Sequence, residues 1–211
     1  MKRWFSRAMW KRSGSAVWRL VLFAVALLYA VTLTGCAAEG TTRILSYYGC
    51  MSGVRPGQRP FRHTGVDFDG AKGDPVIAAA DGTVVDVLPE SAWPCGNGLI
   101  IEHRVDDTPV GWTLYCHMDE TNVQRGQKIK RGDVVGKFGA TGHSLGVPHL
   151  HFGLCPDQPC NRGPATATVD PLPFIVGCFD PARTETYAAL EANRAKPRLV
   201  LTYPVRCARR K

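Results

Sequence analysis

Residues 73–85 read Gly-Asp-Pro-Val-Ile-Ala-Ala-Ala-Asp-Gly-Thr-Val-Val (GDPVIAAADGTVV) and contain the clearest strand–turn–strand signal in the chain. The apolar residues 75–78 are typical of a short buried strand, and Asp81-Gly82 is a turn dipeptide. Residues 83–87 are rich in β-branched side chains and predict a second strand directly after the turn. Short strands joined by glycine turns predict an all-β domain rather than a helical one.

The same pattern recurs on the C-terminal side of this stretch. Residues 98–103 (GLIIEH) and 112–117 (WTLYCH) predict a hairpin with a polar loop between its arms. Residues 128–130 and 134–136 predict two further short strands around a glycine turn, and residues 149–154 (HLHFGL) predict another strand. The 22 glycines and 15 prolines of the 211-residue chain agree with many turns and short strands.

A small helical extension is predicted at the C-terminus. Residues 181–195 have a helical pattern in which Asp180 is a plausible N-cap, and Ala188 and Leu190 are expected to face inward. Residues 199–203 predict a last strand. The predicted class is therefore an all-β, antiparallel domain with a small C-terminal extension of helix and strand.

The net charge of +8 does not indicate nucleic-acid binding. Residues 1–35 hold six of the 26 basic residues and no acidic residue, so the remainder of the chain carries only +2. Three of those remaining positive charges are Arg209, Arg210 and Lys211 at the C-terminus. A nearly neutral body has no basic surface for a polyanion, and no nucleic-acid partner is expected.

The first 35 residues have the pattern of a secretion signal. A basic start precedes an apolar run over residues 20–33, which is shorter than the roughly 20 residues that span a bilayer core. The run ends in Leu33-Thr34-Gly35-Cys36, which resembles the lipobox of bacterial lipoproteins. That resemblance implies cleavage before Cys36, lipidation of Cys36 and a mature protein tethered to a membrane. The alternatives are an uncleaved signal anchor and an ordinary secreted protein.

Eight cysteines are typical of an oxidising compartment. Without Cys36 seven remain, so one of them must be free or bonded outside this set. Sequence position suggests three pairs as hypotheses: Cys155 with Cys160, Cys178 with Cys207, and Cys95 with Cys116. A zinc site built from cysteines is disfavoured because the chain contains no C-x-x-C spacing.

The histidines indicate where the chemistry lies. His149 and His151 are two residues apart on a predicted strand, so both side chains emerge on the same face. His63 and Asp67 form an H-x-x-x-D element in which Gly65 is expected to let the backbone bend towards one ion. One imidazole of this pair, together with His63 and Asp67, supplies N, O and N ligands for zinc and leaves a fourth position for water, while the other imidazole is a supporting or catalytic group.

Two other histidines receive no role in this interpretation. His103 precedes Arg104 at the predicted hairpin turn and is expected to be exposed. His143 follows Gly142 and is expected in a solvated loop, with the wall of a cleft as the alternative.

Several blocks in order resemble the lysostaphin/LytM-type zinc metallopeptidases, which have a duplicated hybrid motif β-fold. The similar segments lie between residue 63 and residue 174 and comprise HTGVD, GDPVIAAADGTVV, LYCH, GQKIKRGDVVGKFGATG, PHLHF and VDPLPF. Two features depart from the family pattern, namely an additional residue in HSLGVPHLH and the cysteine-containing loop over residues 155–160. Both bear on substrate specificity more than on catalysis.

The resemblance implies a site and a reaction. His63, Asp67 and His151 match the ligands of one Zn²⁺ per chain, and His117 and His149 match the catalytic histidines that do not bind the metal. The expected substrates are peptidoglycan peptides, cleaved by hydrolysis of a peptide bond in a cross-link. Because the ligand imidazoles must be neutral to bind zinc, activity is expected to fall below about pH 6.

Two other functions are open at this stage. A non-catalytic module of the same fold could bind the wall or activate other wall hydrolases, although such modules typically lack a metal residue and this chain lacks none. The block GDPVIAAADGTV also resembles carrier and adaptor domains, but those need no set of His63, Asp67 and His151.

The predicted organisation has four parts. Residues 1–35 form a lipoprotein signal peptide, and residues 36–44 form a short membrane-proximal linker. Residues 45–177 form the metallopeptidase domain, and residues 178–211 form the C-terminal extension. The expected location is the cell envelope, where the protein faces the periplasm or the cell exterior. A segment within residues 45–60 is a weak candidate for a cover over the cleft.

Overall fold

A computed structural model describes residues 44–50, 62–161, 167–192 and 199–207. The predicted signal peptide, the predicted lipidation site Cys36 and most of the predicted linker lie outside these residues. The described chain is mostly antiparallel β-structure, as the sequence predicted. Its strands β1–β10 are Ile44–Ser46, Val66–Asp69, Pro75–Ile77, Gly82–Leu88, Gly98–Val105, Thr108–Cys116, Met118–Thr121, Lys128–Ile129, Val134–Phe138 and His149–Cys155.

The strands form a large and a small sheet. The large sheet has seven strands in the order β1-β2-β10-β6-β5-β4-β8, and the small sheet has the order β3-β9-β7. In the large sheet, one transverse row pairs Ser46 with Asp67, Asp67 with His151, and His151 with Cys116. Two of the residues predicted to bind metal therefore lie directly opposite each other on neighbouring strands.

The core lies on one side of the large sheet and includes side chains of both sheets. Phe68, Tyr115 and Phe152 are fully buried, and the Phe152 ring contacts the other two edge-on, at 6.2 and 5.1 Å between centroids. The Tyr115 hydroxyl accepts a hydrogen bond of 2.9 Å from the Ala79 backbone. Burying a large apolar side chain stabilises a fold by about 1.5–3 kcal/mol, so these rings hold the strands of the site firmly in register.

The predicted hairpin is longer and tighter than the sequence suggested. Strand β5 continues to Val105 and strand β6 begins at Thr108, so that only Asp106 and Asp107 connect them. Both connecting residues have positive φ, at 46° and 60°, which is the backbone of a type I′ turn. The prediction of a longer polar loop was wrong because aspartate, unlike most residues, tolerates this conformation.

The C-terminal extension contains the predicted helix but not the predicted strand. A 3-10 turn over Pro181–Arg183 leads into α1, Thr184–Ala192, and the Asp180 side chain caps this start by accepting from the Ala182 N–H at 3.0 Å. Residues 199–207 form two isolated bridges instead of a strand, from Leu201 to Ile175 and from Val205 to Val76. Ala188 is exposed, contrary to the prediction, and Tyr187 is the buried residue among the α1 side chains that the structure describes. The other predicted inward position, Leu190, lies outside those side chains. In the described part of the chain, no helix is long and apolar enough to span a bilayer.

The three cysteine pairs proposed from sequence position are confirmed. Disulfides join Cys95 to Cys116, Cys155 to Cys160, and Cys178 to Cys207. The first bridge fixes the segment before β5 to the end of β6, next to His117, and the third fixes the C-terminal extension at both of its ends.

Arg131 attaches α1 to the body of the domain. Its buried guanidinium donates to the Ala79 carbonyl at 2.6 Å and to the Val200 carbonyl at 2.8 Å. It also forms a 2.8 Å ion pair with Glu191 of α1 and lies 4.7 Å from the centre of the Tyr187 ring. A buried guanidinium N–H that loses its acceptor destabilises the folded protein. A buried carboxylate that loses its guanidinium partner does so as well.

Replacing Arg131 with methionine is therefore expected to lower the free energy of unfolding by about 3 kcal/mol, since it leaves a partly buried carboxylate unpaired. The matched control is Lys130→Met, because Lys130 pairs with Asp81 at an exposed site, and such pairs contribute about 1 kcal/mol or less. Urea unfolding with the disulfides intact measures both changes. Equal effects of the two substitutions would show that Arg131 is not an anchor.

Candidate active site

Three of the predicted site residues meet at one end of the β2–β10 pair. Asp67 lies on β2, His151 lies opposite it on β10, and His63 lies just before β2. The distances between His63 Nε2, Asp67 Oδ1 and His151 Nδ1 are each 3.0 Å. Among the described residues, this is the group of histidine, cysteine and acidic side chains whose geometry could hold a metal ion.

The donor set fits zinc. Zinc prefers imidazole nitrogen and carboxylate oxygen in a tetrahedral arrangement, in which neighbouring ligand atoms lie about 3.3 Å apart. The observed 3.0 Å separations are within a few tenths of an ångström of that value. Three protein ligands leave one tetrahedral position for water or substrate, which is typical of catalytic rather than structural zinc sites.

The site attracts positive charge. Burial disfavours ionisation of Asp67, but hydrogen bonds from His151 and His63 outweigh it and hold the pKa of Asp67 well below its usual range. Burial lowers the pKa of His63, yet the hydrogen bond and charge of Asp67 more than compensate, so that the pKa of His63 is raised. Burial lowers the pKa of His151 despite the same carboxylate. Asp67 therefore stays ionised although it is largely buried, and this negative charge faces the position that a divalent cation would occupy.

His117 and His149 lie beside this group. Their ring centroids are 4.7 Å apart, the His117 ring lies 5.9 Å from the His151 ring, and His149 Nε2 lies 3.9 Å from Asp67 Oδ1. The structure thus brings together all five residues that the sequence analysis singled out. His149 and His151 share one face of β10, as their spacing predicted.

Backbone carbonyls set the tautomers of both histidines. His117 Nδ1 lies 2.9 Å from the Thr141 carbonyl, and His149 Nδ1 lies 2.8 Å from the Val147 carbonyl. A carbonyl can only accept, so each Nδ1 carries the proton and each neutral ring has its lone pair on Nε2. One loop, residues 139–148 between β9 and β10, therefore orients both imidazoles.

The backbone at His117 has an unusual conformation. Its φ of 65° lies in the left-handed region, which is rare for residues other than glycine. Here β6 ends in the large sheet and β7 begins in the small sheet. The sequence analysis placed residues 112–117 on one strand and missed this break. The His117 N–H donates to the Cys95 carbonyl at 2.9 Å, next to the Cys95–Cys116 disulfide.

Gly65 has a different role from the predicted one. Its backbone does not require positive φ, but a Cβ at this position would lie 2.4 Å from the Phe152 carbonyl and 2.8 Å from His151 Nε2. Glycine is needed here for space, because the chain between His63 and Asp67 passes directly over the imidazole of His151.

The other two histidines have structural surroundings. His103 is buried rather than exposed, because β5 continues past it and its ring contacts the Asp81 carbonyl at 2.7 Å and the Thr113 hydroxyl at 2.8 Å. Burial lowers the pKa of His103 to about 4. The His143 ring, half-buried, contacts Trp93 edge-on at 5.0 Å. This agrees with the alternative in which His143 contributes to a cleft wall.

Two loops beside His117 and His149 expose large apolar side chains. Trp93 is 73% exposed, and Leu145 and Val147 are 71% and 52% exposed. Trp93 lies before the cis peptide to Pro94, and the Pro94 carbonyl accepts from the His143 N–H at 2.8 Å, which joins the two loops. The sequence analysis assigned these residues no role, since a lone exposed apolar residue in a loop has no distinctive pattern.

Known proteins resemble this chain over the region that contains the site. The model of peptidase family M23 matches residues 61–162. The peptidoglycan DD-endopeptidase ShyB of Vibrio cholerae is 42% identical over 90 residues, which is 43% of this chain and 20% of that protein. The glycyl-glycine endopeptidase ALE-1 of Staphylococcus capitis is 34% identical over 113 residues, 54% of this chain and 29% of that protein. The matched regions are thus less than a third of these curated relatives.

A solved structure also resembles this chain. The catalytic domain of lysostaphin from Staphylococcus simulans superposes with a TM-score of 0.53 and 30% identity, covering 63% of this chain and 91% of that domain. The match covers nearly all of a structurally defined catalytic domain, whereas the curated relatives contain much additional sequence.

Proposed function

The chain belongs to peptidase family M23, and on this basis we propose that it is a zinc-dependent endopeptidase that hydrolyses peptide cross-links of peptidoglycan. Family M23 peptidases are hydrolases, and the two curated relatives described above are named for endopeptidase activity, one of them on peptidoglycan. We assign His63, Asp67 and His151 as ligands of one Zn²⁺, and His117 and His149 as catalytic residues.

One observation carries this proposal. Three ligand atoms lie 3.0 Å from each other, and two further imidazoles beside them each have Nδ1 occupied by a backbone carbonyl. A protein that only binds the wall has no need for histidines held in one tautomer. The complete set of residues therefore supports catalysis over the regulatory alternative.

The residues suggest how hydrolysis proceeds. When bound, Zn²⁺ acidifies a coordinated water and polarises the scissile carbonyl. His117 and His149 have their lone pairs on Nε2, so either can take a proton from the attacking water and become an imidazolium. Its Nε2–H can then donate to the developing oxyanion and finally to the leaving nitrogen. Burial and the neighbouring imidazoles lower the pKa of His117 to about 4, so the ring is neutral and its Nε2 lone pair is free near pH 7.

The test is digestion of purified peptidoglycan by the purified protein, with fragments identified by mass spectrometry. Parallel samples contain a chelator, or a chelator followed by added zinc. New uncrosslinked fragments that disappear with the chelator and return with zinc are expected, and their masses identify the bond. A folded, zinc-loaded protein that releases no fragments would favour the regulatory module instead.

The exposed side chains on the two loops suggest where the substrate lies. The loop over residues 139–148 orients both catalytic imidazoles, and the loop of Trp93 accepts from the His117 N–H through the Cys95 carbonyl. Trp93, Leu145 and Val147 give these two loops an apolar rim. We infer that the aliphatic parts of the peptide contact this rim. One of the two departures from the family pattern, the additional residue in HSLGVPHLH, falls on the loop between β9 and β10, which is consistent with a role in specificity.

Replacing Trp93 with alanine is accordingly expected to raise KM for a cross-linked peptide by about tenfold with little change in kcat, because it removes contact area that is distant from the reacting atoms. Steady-state kinetics on an isolated cross-linked peptide measures the two constants. Val134→Ala is the control, since Val134 is 42% exposed on a strand of the small sheet. An unchanged KM for Trp93→Ala would show that the rim does not contribute to substrate binding.

Acid is expected to inactivate the enzyme through loss of zinc. Because the pKa of His63 is raised above the ordinary range of histidine, protons compete with the metal at this ligand already in mildly acidic solution, whereas His117 stays neutral to near its pKa of about 4. Activity lost at about pH 5.5 should therefore return with excess zinc. If saturating zinc leaves the acid limb unchanged, protonation of a catalytic histidine sets it instead.

We further propose that Cys36 carries a lipid that tethers the protein to a membrane of the cell envelope. The support is the basic and apolar N-terminal pattern that ends in Leu-Thr-Gly-Cys. Mass spectrometry of the N-terminal peptide from protein made in a bacterial host should find acylated Cys36 as the first residue. An intact N-terminus, or Cys36 joined to another cysteine, would contradict the anchor.

A further inference from the structure

Residues 44–50 form a short segment that contacts the first metal ligand. The segment consists of β1 and the turn that follows it, and we call it the N-terminal brace. It lies before the residues that the family model matches, which begin at residue 61. Its contacts with the site are therefore a property of this chain that the family assignment does not supply.

The brace makes four contacts with His63. The Gly49 N–H donates to the His63 carbonyl at 2.8 Å, and the His63 N–H donates to the Cys50 carbonyl at 2.9 Å. His63 Nδ1 lies 2.9 Å from the Tyr47 carbonyl and 3.2 Å from the Ser46 hydroxyl. The brace thus contacts the backbone N–H, the backbone carbonyl and Nδ1 of His63. Nδ1 is the ring nitrogen that does not face the other two candidate ligands.

These contacts have a chemical consequence for Nε2. A carbonyl must receive a proton from Nδ1, so the Tyr47 carbonyl fixes the tautomer in which the Nε2 lone pair faces Asp67 and His151. A metal-binding histidine whose second nitrogen donates to an oxygen is a better and more precisely oriented ligand. His63 lies outside the strands, so its orientation depends on such contacts rather than on a sheet ladder.

The brace is itself attached to the core of the domain. Ile44 is buried and pairs with Phe68, and Ser46 pairs with the metal-ligand candidate Asp67. The Tyr48 hydroxyl donates to the Thr168 carbonyl at 2.6 Å. The segment therefore lies beside the site as an edge strand. The described part of the predicted cover, residues 45–50, supports His63 in this way, and residues 51–61 lie outside the structure.

We propose that the N-terminal brace is part of the metal centre, where Tyr47 and Ser46 position His63 and raise the affinity for zinc. This rests on the proposed zinc site and adds to it a positioning element outside the family region. The competing interpretation is an edge strand that contributes only to general stability. The two differ in whether loss of the brace changes zinc binding in a protein that stays folded.

The experiment measures the zinc dissociation constant of the full chain in detergent by competition with a chromophoric chelator. Ile44→Asp places a charge at the buried anchor of β1 and is expected to weaken zinc binding by about 10–100-fold, the range seen when outer partners of ligands are lost. Ser46→Ala removes one contact and is expected to weaken it by about threefold, whereas Ser46→Thr keeps the hydroxyl and should restore it. Leu45→Ala is the control, because Leu45 is 43% exposed on the same strand.

Thermal unfolding with chelator and with saturating zinc separates positioning from stability. In the proposed arrangement, the zinc-dependent rise in Tm is smaller for Ile44→Asp than for Leu45→Ala. A folded Ile44→Asp protein that binds zinc within about twofold of the control would overturn the proposal. If Ile44→Asp does not fold, unchanged binding by Ser46→Ala has the same meaning. Absence of zinc binding by the unsubstituted chain would instead contradict the proposed function.

Discussion

Replacing His151 with alanine is expected to abolish zinc binding at micromolar metal and to reduce peptidoglycan cleavage below detection. His151 Nδ1 lies 3.0 Å from both other ligand atoms, so its loss leaves only two protein ligands. Loss of partners that merely orient a ligand weakens metal binding by about 10–100-fold, and loss of a ligand itself should exceed about 100-fold. Metal analysis after dialysis and the digestion assay measure the two effects.

The control for this substitution is His143→Ala. His143 lies on the loop between β9 and β10, its ring contacts Trp93 edge-on, and it does not belong to the group of three candidate ligands. This variant should retain one zinc per chain, although its KM can change with the rim. If His151→Ala binds zinc as tightly as His143→Ala does, the assignment of ligands is wrong, whatever happens to activity.

His151 was accessible to sequence reasoning because periodicity determines its surroundings. Alternation along β10 places His149 and His151 on one face, and the fully buried Leu150 and Phe152 occupy the other. The pairing of His151 with Asp67 then follows from the register of β2 and β10, which the buried Phe68 and Phe152 help to fix. The fold class and the three disulfides were predictable in the same sense, since apolar alternation and sequence proximity are local signals.

The contacts that orient the histidines were not predictable. The partners of His63, His117 and His149 are the carbonyls of Tyr47, Thr141 and Val147, and every residue has a carbonyl. Which carbonyl faces an imidazole depends on loop conformation, and residue type does not encode it. The brace is hidden for the same reason, because its effect on His63 comes mainly through backbone groups.

For His103, the residue type was informative but the prediction of exposure was wrong. A histidine next to an arginine near an expected turn suggests exposure, but the two-residue connection at Asp106 and Asp107 lengthens β5 and places His103 inside the sheet. There Thr113 and the Asp81 carbonyl satisfy both ring nitrogens, so burial needs no charge. Titratable side chains alone therefore do not identify the site, and only their convergence does.

Replacing His117 with asparagine is expected to lower kcat by about 10²–10⁴-fold, the usual contribution of a general acid–base group, while zinc content stays at one per chain. Asparagine is chosen because it tolerates positive φ, so the φ of 65° at this position is retained without added backbone strain. Alanine would combine loss of the imidazole with that strain. His149→Asn should have an effect of similar size, since the two rings are 4.7 Å apart and equivalent in tautomer.

The double variant His117→Asn/His149→Asn distinguishes how the two histidines share the proton. If one ring accepts the proton and the other only assists it, both losses act on one step. The fold-loss in kcat of the double variant should then be far smaller than the product of the two single fold-losses. Independent roles would make the two effects on kcat multiply. Single-turnover kinetics at saturating zinc on an isolated cross-linked peptide measures the chemical step directly. If His117→Asn retained full kcat with zinc bound, the proton would have to be transferred without this ring, and the second assigned catalytic residue, His149, would become the proton acceptor.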